Sequence, residues 1–383
     1  MAAEQITRAI AHFDLDAFFV SVERIVNPSF NDKPLIVGWE SERGVVAACS
    51  YETRKYGVHS AMPMKKALLL CPQALVVTPS RGKYGEYSQK VTDIIAQAAP
   101  VYEKASIDEF YLDLTGMDRF LGCYQFALDL KKKITKETGL PVSFALSINK
   151  LVSKIATDTV KPNGQIEVKP GAEQDFLAPM PVEKIPMVGK ETAFQLNKMG
   201  IFTIAQLAQT SKDTLRTFLG KHGAILWERA HGIDHTPVYT GLEQKSISTE
   251  NTFEEDTSDM TVLEKELREL NEINSYELRK INKWTCCVAV KMRYADFETI
   301  TRQTTVPPLA DEKQLAEHIL TLFRKFYQRN RPVRLLGVRY THLTDAGKQP
   351  DLFQQEKDEA QLNKILDQIK DKFGKDSIGF SAL

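Results

Sequence analysis

Apolar spacing divides the first 170 residues into short strands and longer helices. "AIAHFDLDAFF" opens as a strand, and "LIVGW" and "GVVAACS" are further short apolar runs of strand length. Helical spacing takes over in "YSQKVTDIIAQAAPVY". Strands return in "FYLDLTG" and "VSFALSI", with the helix "CYQFALDLKKKITKETG" between them. This mixture predicts an α+β or α/β unit with a mixed sheet. Residues 171–236 change to short helices punctuated by Gly and Pro, and 237–245 read as an exposed linker. From 246 to 344 the order is strand, helix, strand, strand, helix, strand, which predicts a separate α+β domain. Within it the acidic "EEDTSD" reads as a solvated turn. The tail from 345 holds a Pro-containing linker and an amphipathic helix whose Leu362, Ile365, Leu366 and Ile369 form an apolar stripe. That stripe must pack on the protein itself or on a partner.

At 383 residues the chain has room for two or three cores. It has no apolar run of membrane-spanning length and no signal-like N-terminus, so a cytoplasmic protein without a membrane partner is expected. The five cysteines show neither CxxC nor Cys/His spacing, which argues against zinc and a disulfide framework. Basic and acidic residues balance at 50 each, so total charge says nothing of a polyanionic partner. Distribution says more: His318 to Thr344 contains six Lys and Arg and no acid. Such a stretch is either a solvated basic face or a phosphate-binding one.

The candidate chemistry is acidic. "KASIDEFYLDLTG" places Asp108 beside Glu109 in a run of β-formers, and "HFDLDAFF" places Asp14 and Asp16 on one face of a strand if that strand stays regular. Solvated strand-end acids would look the same. If the two strands pair, however, three or four carboxylates meet, and such a cluster needs cations to neutralise it. Oxygen-only ligands without His or Cys point to Mg²⁺ or Mn²⁺, and two such ions about 4 Å apart serve in-line phosphoryl or nucleotidyl transfer. Tyr51 and Arg54 share a helix face, and Lys161 precedes a Pro-Asn-Gly turn. Each is either surface decoration or a grip for phosphate oxygens.

"FDLDAFFVSVE", "SYETRKYGV", "ASIDEFYLD", "SINKLVSKIATDTVKPNG" and "IPMVGKETAFQLNKMGI" occur in order. Together they resemble the Y-family translesion DNA polymerases, and look most like the DinB branch, over roughly residues 8–345. The resemblance implies an α+β multidomain right-hand fold. Residues 1–24 and 79–170 would be a palm, with a mixed β-sheet plus helices, and 25–78 small fingers. A helix–hairpin–helix thumb (171–236), the linker (237–245), an α+β little finger (246–344) and the tail (345–383) would follow.

In that family Asp14, Asp108 and Glu109 would be the catalytic residues and, with the Leu15 backbone carbonyl, would hold two Mg²⁺. Asp16 would not be an essential ligand. The implied reaction is low-fidelity, template-directed addition of dNTPs to a primer 3′ end, without proofreading. Tyr51, Arg54 and Lys161 would bind the dNTP triphosphate. Phe19 would be the steric gate against ribose, Phe18 a core or base-stacking residue, and Val46, Ala47 and Ala61 would border the nascent base pair. Gly189 and Lys190 of the thumb hairpin, and Arg331, Arg334 and Arg339, would contact primer–template DNA. Gln349, Leu352 and Phe353 in "QPDLF" match a peptide that docks on the sliding (beta) clamp. A further helix after that peptide departs from the usual family pattern. A monomer is expected. The rivals are an inactive DNA- and clamp-binding relative, which should have lost one of the three carboxylates, and another two-metal phosphodiester enzyme, which would leave Phe19, the hairpin and the clamp-like peptide unexplained.

Overall fold

The computed structural model describes residues 7–80, 82–117, 122–241, 243–328 and 331–345, together with 365, 367–369 and 372. The chain forms two compact units, Met1–Leu242 and Glu243–Leu383. The boundary falls inside the stretch that the sequence marks as a linker.

The first unit begins with strand β1 (Ile10–Leu15), helix α1 (Phe18–Val26), β2 (Leu35–Gly38), β3 (Val46–Cys49), α2 (Tyr51–Arg54), α3 (Met64–Leu70), β4 (Leu75–Val77) and α4 (Lys83–Ala98). β5 (Tyr102–Lys104), β6 (Glu109–Asp113), α5 (Cys123–Thr138), β7 (Val142–Ser147), α6 (Lys150–Val160) and β8 (Gln165–Glu167) complete its sheets. Five short helices follow: α7 (Glu173–Leu177), α8 (Lys190–Lys198), α9 (Ile204–Gln209), α10 (Lys212–Leu219) and α11 (Lys221–Ala230).

The main sheet runs β5-β6-β1-β7-β8, which makes β1 the central strand, and a smaller sheet runs β3-β2-β4. Every residue of β1 is buried. Its alternation decides what each face does. Ala11, Phe13 and Leu15 point into the core shared with α1, α4 and α5. Ile10, His12 and Asp14 therefore point to the opposite face, where Thr157 of α6 meets His12. Asn149 caps α6 by accepting from the Val152 N–H, which fixes where that helix starts against the sheet.

The second unit contains β9 (Ser246–Thr257), α12 (Met260–Lys280), β10 (Lys283–Tyr294), β11 (Thr299–Leu309), α13 (Glu312–Phe326) and β12 (Val333–Asp345). Its sheet runs β11-β10-β12-β9, with α12 and α13 sharing one core with it. The expected turn at "EEDTSD" is corrected here, because β9 continues through Thr257, which pairs with Val333. β9 is an edge strand whose Glu254 and Glu255 are solvent-exposed, so acids are tolerated without breaking the ladder. From the tail, Asp367 accepts two hydrogen bonds from Arg279 of α12, at 2.8 and 2.7 Å. Asp367 thus ties the described part of the tail to its own unit, while Ile365 of the apolar stripe is 49% exposed.

Candidate active site

Asp14 and Glu109 come together through register. β1 and β6 pair antiparallel with Asp14 opposite Glu109 and His12 opposite Tyr111, so these side chains share one face. Asp108 lies in the bend just before β6. Ser106 shapes that bend: its hydroxyl accepts from the Asp108 and Glu109 N–H groups and donates to Asp108 Oδ1 at 2.6 Å. The Asp108 carbonyl then accepts from the Leu15 N–H at 3.0 Å, which ties the bend to the end of β1. Two adjacent acids therefore avoid opposite faces of one strand, because only the second belongs to it.

Cations from the α6 segment answer this charge. Lys161 Nζ lies 2.6 Å from Asp14 Oδ2 and 3.1 Å from Asp158. Lys154 Nζ is ion-paired with Glu109 Oε1. Asp14 is only 5% exposed, and burial pushes it up to about 7 against the pull of Lys161, aided by repulsion from Glu109 and Asp108. Among the described residues, no three His, Cys, Asp or Glu side chains are gathered closely enough to hold a metal as they stand. The donor set nevertheless suits a hard divalent ion: it is all carboxylate oxygen, and an ammonium already balances the charge at both Asp14 and Glu109.

Asp16 departs from the regular-strand reading. β1 ends at Leu15, and the Asp16 N–H turns aside to the Pro141 carbonyl at 2.9 Å. Its buried carboxylate accepts from Ser143 Oγ at 2.9 Å, from the Asn163 N–H at 2.7 Å and from Tyr51 Oη at 3.3 Å. Asp16 thus knits β7 and the Lys161 turn to the start of α2. That turn accepts only glycine at 164, where a Cβ would sit 1.9 Å from the Val160 carbonyl. Ser50 caps α2. Arg54 stacks over the Tyr51 ring at 4.6 Å, and burial followed by the nearby Asp16 charge pushes the Tyr51 phenol up to about 12. Tyr51 and Lys161 thus approach the carboxylate floor from two elements, through Asp16 and Asp14.

The impB/mucB/samB family profile matches residues 13–158, its C-terminal domain matches 244–352, and a profile for the thumb domain of DNA polymerase iota matches 183–234. The chain is 41% identical over 375 residues to a DNA polymerase IV of Dehalococcoides mccartyi, covering 97% of this chain and 96% of that one. It is 38% identical to a DNA polymerase IV of Halorhodospira halophila, over 90% of this chain and 98% of that one. A solved Y-family DNA polymerase chimera (Dbh–Dpo4–Dbh) superposes with a TM-score of 0.77 at 27% identity, covering 88% of this chain and 99% of that one. The chain belongs to the Y family of DNA polymerases.

Other expected site residues of this Y-family chain divide by exposure. Phe18 is core, whereas Phe19 is half-buried and stacks on Tyr84 at 4.1 Å, nearly parallel. Tyr84 is itself held by buried Glu23, to which its hydroxyl donates. Ala47 and Ala61 are accessible, but Val46 is 1% exposed and packs in the small-sheet core with Met62 and Met64. A side chain so enclosed cannot line a base-pair site, which corrects that expectation. Gly189 caps the N-terminus of α8 in an extended conformation, with Lys190 exposed beside it. Met187, two residues before Gly189, takes a positive φ of 74°. Arg331 is ion-paired with Asp296 and Glu298 and lies over the Tyr294 ring, so the acid-free stretch acquires acids from the β10–β11 turn. Arg334 lies over Phe297, while Arg339 is exposed. Gln349, Leu352 and Phe353 lie outside the described residues. Lys154 and His12 were not legible as site residues: at helical spacing Lys154 reads as a solvated face, and His12 as core.

Proposed function

We propose that Asp14, Asp108 and Glu109, with the Leu15 carbonyl, hold two Mg²⁺ ions and carry nucleotidyl transfer. Family membership makes this chain a translesion DNA polymerase, dependent on divalent metal and acting on primer–template DNA and dNTPs. The observation that carries the assignment is the Asp14–Glu109 register pair with Asp108 in the adjoining bend. Bound metal lowers the pKa of the primer hydroxyl and stabilises charge on the triphosphate. The chain's own residues do the rest. Lys161, which pairs with Asp14, would supply with Tyr51 and Arg54 the donors that meet the triphosphate. Phe19, braced by Tyr84, closes the space beside the sugar's C2′.

Residues 1–24 and 79–170, which include the five-stranded sheet, are the palm, 25–78 the fingers, 171–236 the thumb and 246–344 the little finger. Gly189 and Lys190 offer backbone N–H groups and a cation to DNA phosphates, and Arg334 and Arg339 extend that contact. The "QPDLF" peptide docks on a sliding clamp, and the enzyme works as a cytoplasmic monomer. No described helix is long and apolar enough to cross a membrane. The test is single-nucleotide primer extension with Mg²⁺ by wild type and Asp108→Ala. Extension by wild type alone is expected; full activity in Asp108→Ala would remove the assignment.

A further inference from the structure

His12 is fully buried on the catalytic face of β1, two residues before Asp14, and the polymerase reaction described above gives it no task. Its Nδ1 lies 3.0 Å from Thr157 Oγ1. The Thr157 hydroxyl already donates to the Ser153 carbonyl at 2.8 Å, so its oxygen accepts from Nδ1–H. In that tautomer Nε2 is left with a bare lone pair. Nε2 has no hydrogen-bond partner although it is buried. Such an orphan acceptor is costly, and it faces Glu109 Oε1 at 4.0 Å. The same Oε1 carries the ammonium of Lys154.

Two groups therefore converge on one oxygen of the Glu109 carboxylate: a lysine that neutralises it and an acceptor with nothing to accept. We propose that Lys154 is the internal counter-ion of Glu109 and that His12 Nε2 receives its ammonium when a divalent ion claims the carboxylate. Lys154 and His12 are positioning residues in this scheme, which rests on the metal-binding role assigned to Glu109. The lysine keeps the carboxylate pair tolerable in the metal-free enzyme, where two uncompensated acids would repel. The imidazole gives the displaced ammonium a nearby partner instead of leaving it unpaired in a half-buried site. Thr157 holds the ring in the tautomer that makes this exchange available. No proton is transferred; one N–H donor changes its acceptor.

Mn²⁺ binding to the full-length protein without DNA or nucleotide, followed by electron paramagnetic resonance, tests this. Lys154→Met removes the competing cation and should bind Mn²⁺ roughly tenfold tighter, about the size of one partly buried ion pair. His12→Phe keeps the ring volume but deletes the acceptor, and should bind about threefold more weakly, the size of one hydrogen bond. In the Lys154→Met background His12→Phe should have no effect, because nothing remains to be received. Lys154→Gln is measured alongside to guard against misfolding, and both lysine variants should show a larger rise in Tm on Mn²⁺ addition than wild type. Equal affinity of wild type and both lysine variants, or additive effects of the His12 and Lys154 changes, would overturn the proposal while leaving the metal site intact. Undiminished Mn²⁺ binding by Asp14→Asn and Glu109→Gln would instead overturn the site assignment on which it rests.

Discussion

Phe19 lies face to face with Tyr84, and the Tyr84 hydroxyl is tied to Glu23, which also accepts from the Ser80 N–H and hydroxyl. A ring held this way cannot swing aside for a 2′-hydroxyl. Phe19→Ala should lower the dNTP/rNTP ratio of kcat/KM by roughly tenfold to a hundredfold, the usual worth of a steric pocket contact. An unchanged ratio in steady-state primer extension would remove the gate assignment. Asp16 calls for the opposite outcome. It is 1% exposed and accepts from Ser143, Asn163 and Tyr51, so Asp16→Ala should cost about 1–3 kcal/mol in urea denaturation. Mn²⁺ affinity should stay close to wild type; a complete loss of it would make Asp16 a ligand after all. Strand spacing could not separate Asp16 from Asp14, because two residues apart on a strand is the same face; only the family resemblance set Asp16 aside. The end of β1 at Leu15 divides their roles.

At the scale of elements, β1 is buried throughout, so the carboxylate of Asp14 stood out as an exception to an apolar run. The pairing of β1 with β6 could be stated from the sequence as a conditional, and the register makes it fact. What could not be read was the answering charge. Lys154 comes from the middle of α6 and Lys161 from just past its C-terminus, and lysines at helical spacing are ordinary on solvated faces. The basic stretch of the second unit shows the same limit. Arg331 and Arg339 look alike in sequence, but Arg331 is taken by Asp296 and Glu298 from a turn more than thirty residues away. Arg339→Ala should therefore flatten the slope of log K against log salt for DNA binding by about 1, while Arg331→Ala should leave it nearly unchanged. Equal slopes for the two variants in fluorescence-anisotropy titrations would contradict this division.

At the scale of the molecule, a balanced total charge disguised a nucleic-acid enzyme, because the charges that matter sit in a few surfaces and one buried site. The boundary between the two units was foreshadowed by the linker read at 237–245, whereas the change to Gly- and Pro-punctuated helices at 171 falls inside the first unit. The strand identity of "EEDT" was not, because an edge strand accepts acids that composition assigns to a turn. Changing Leu352 and Phe353 to Ala together should abolish stimulation by a sliding clamp and leave unassisted synthesis intact, since these residues lie far along the chain from the carboxylates; equal stimulation in a processivity assay would reassign the peptide. The central claim is that Asp14, Asp108 and Glu109 hold the metal that drives nucleotidyl transfer. It is tested most directly by pre-steady-state single-nucleotide incorporation with wild type and Glu109→Gln. The account predicts a loss of at least roughly a thousandfold for the variant, the several kcal/mol that metal-ion stabilisation supplies. Incorporation by Glu109→Gln at the wild-type rate would contradict it.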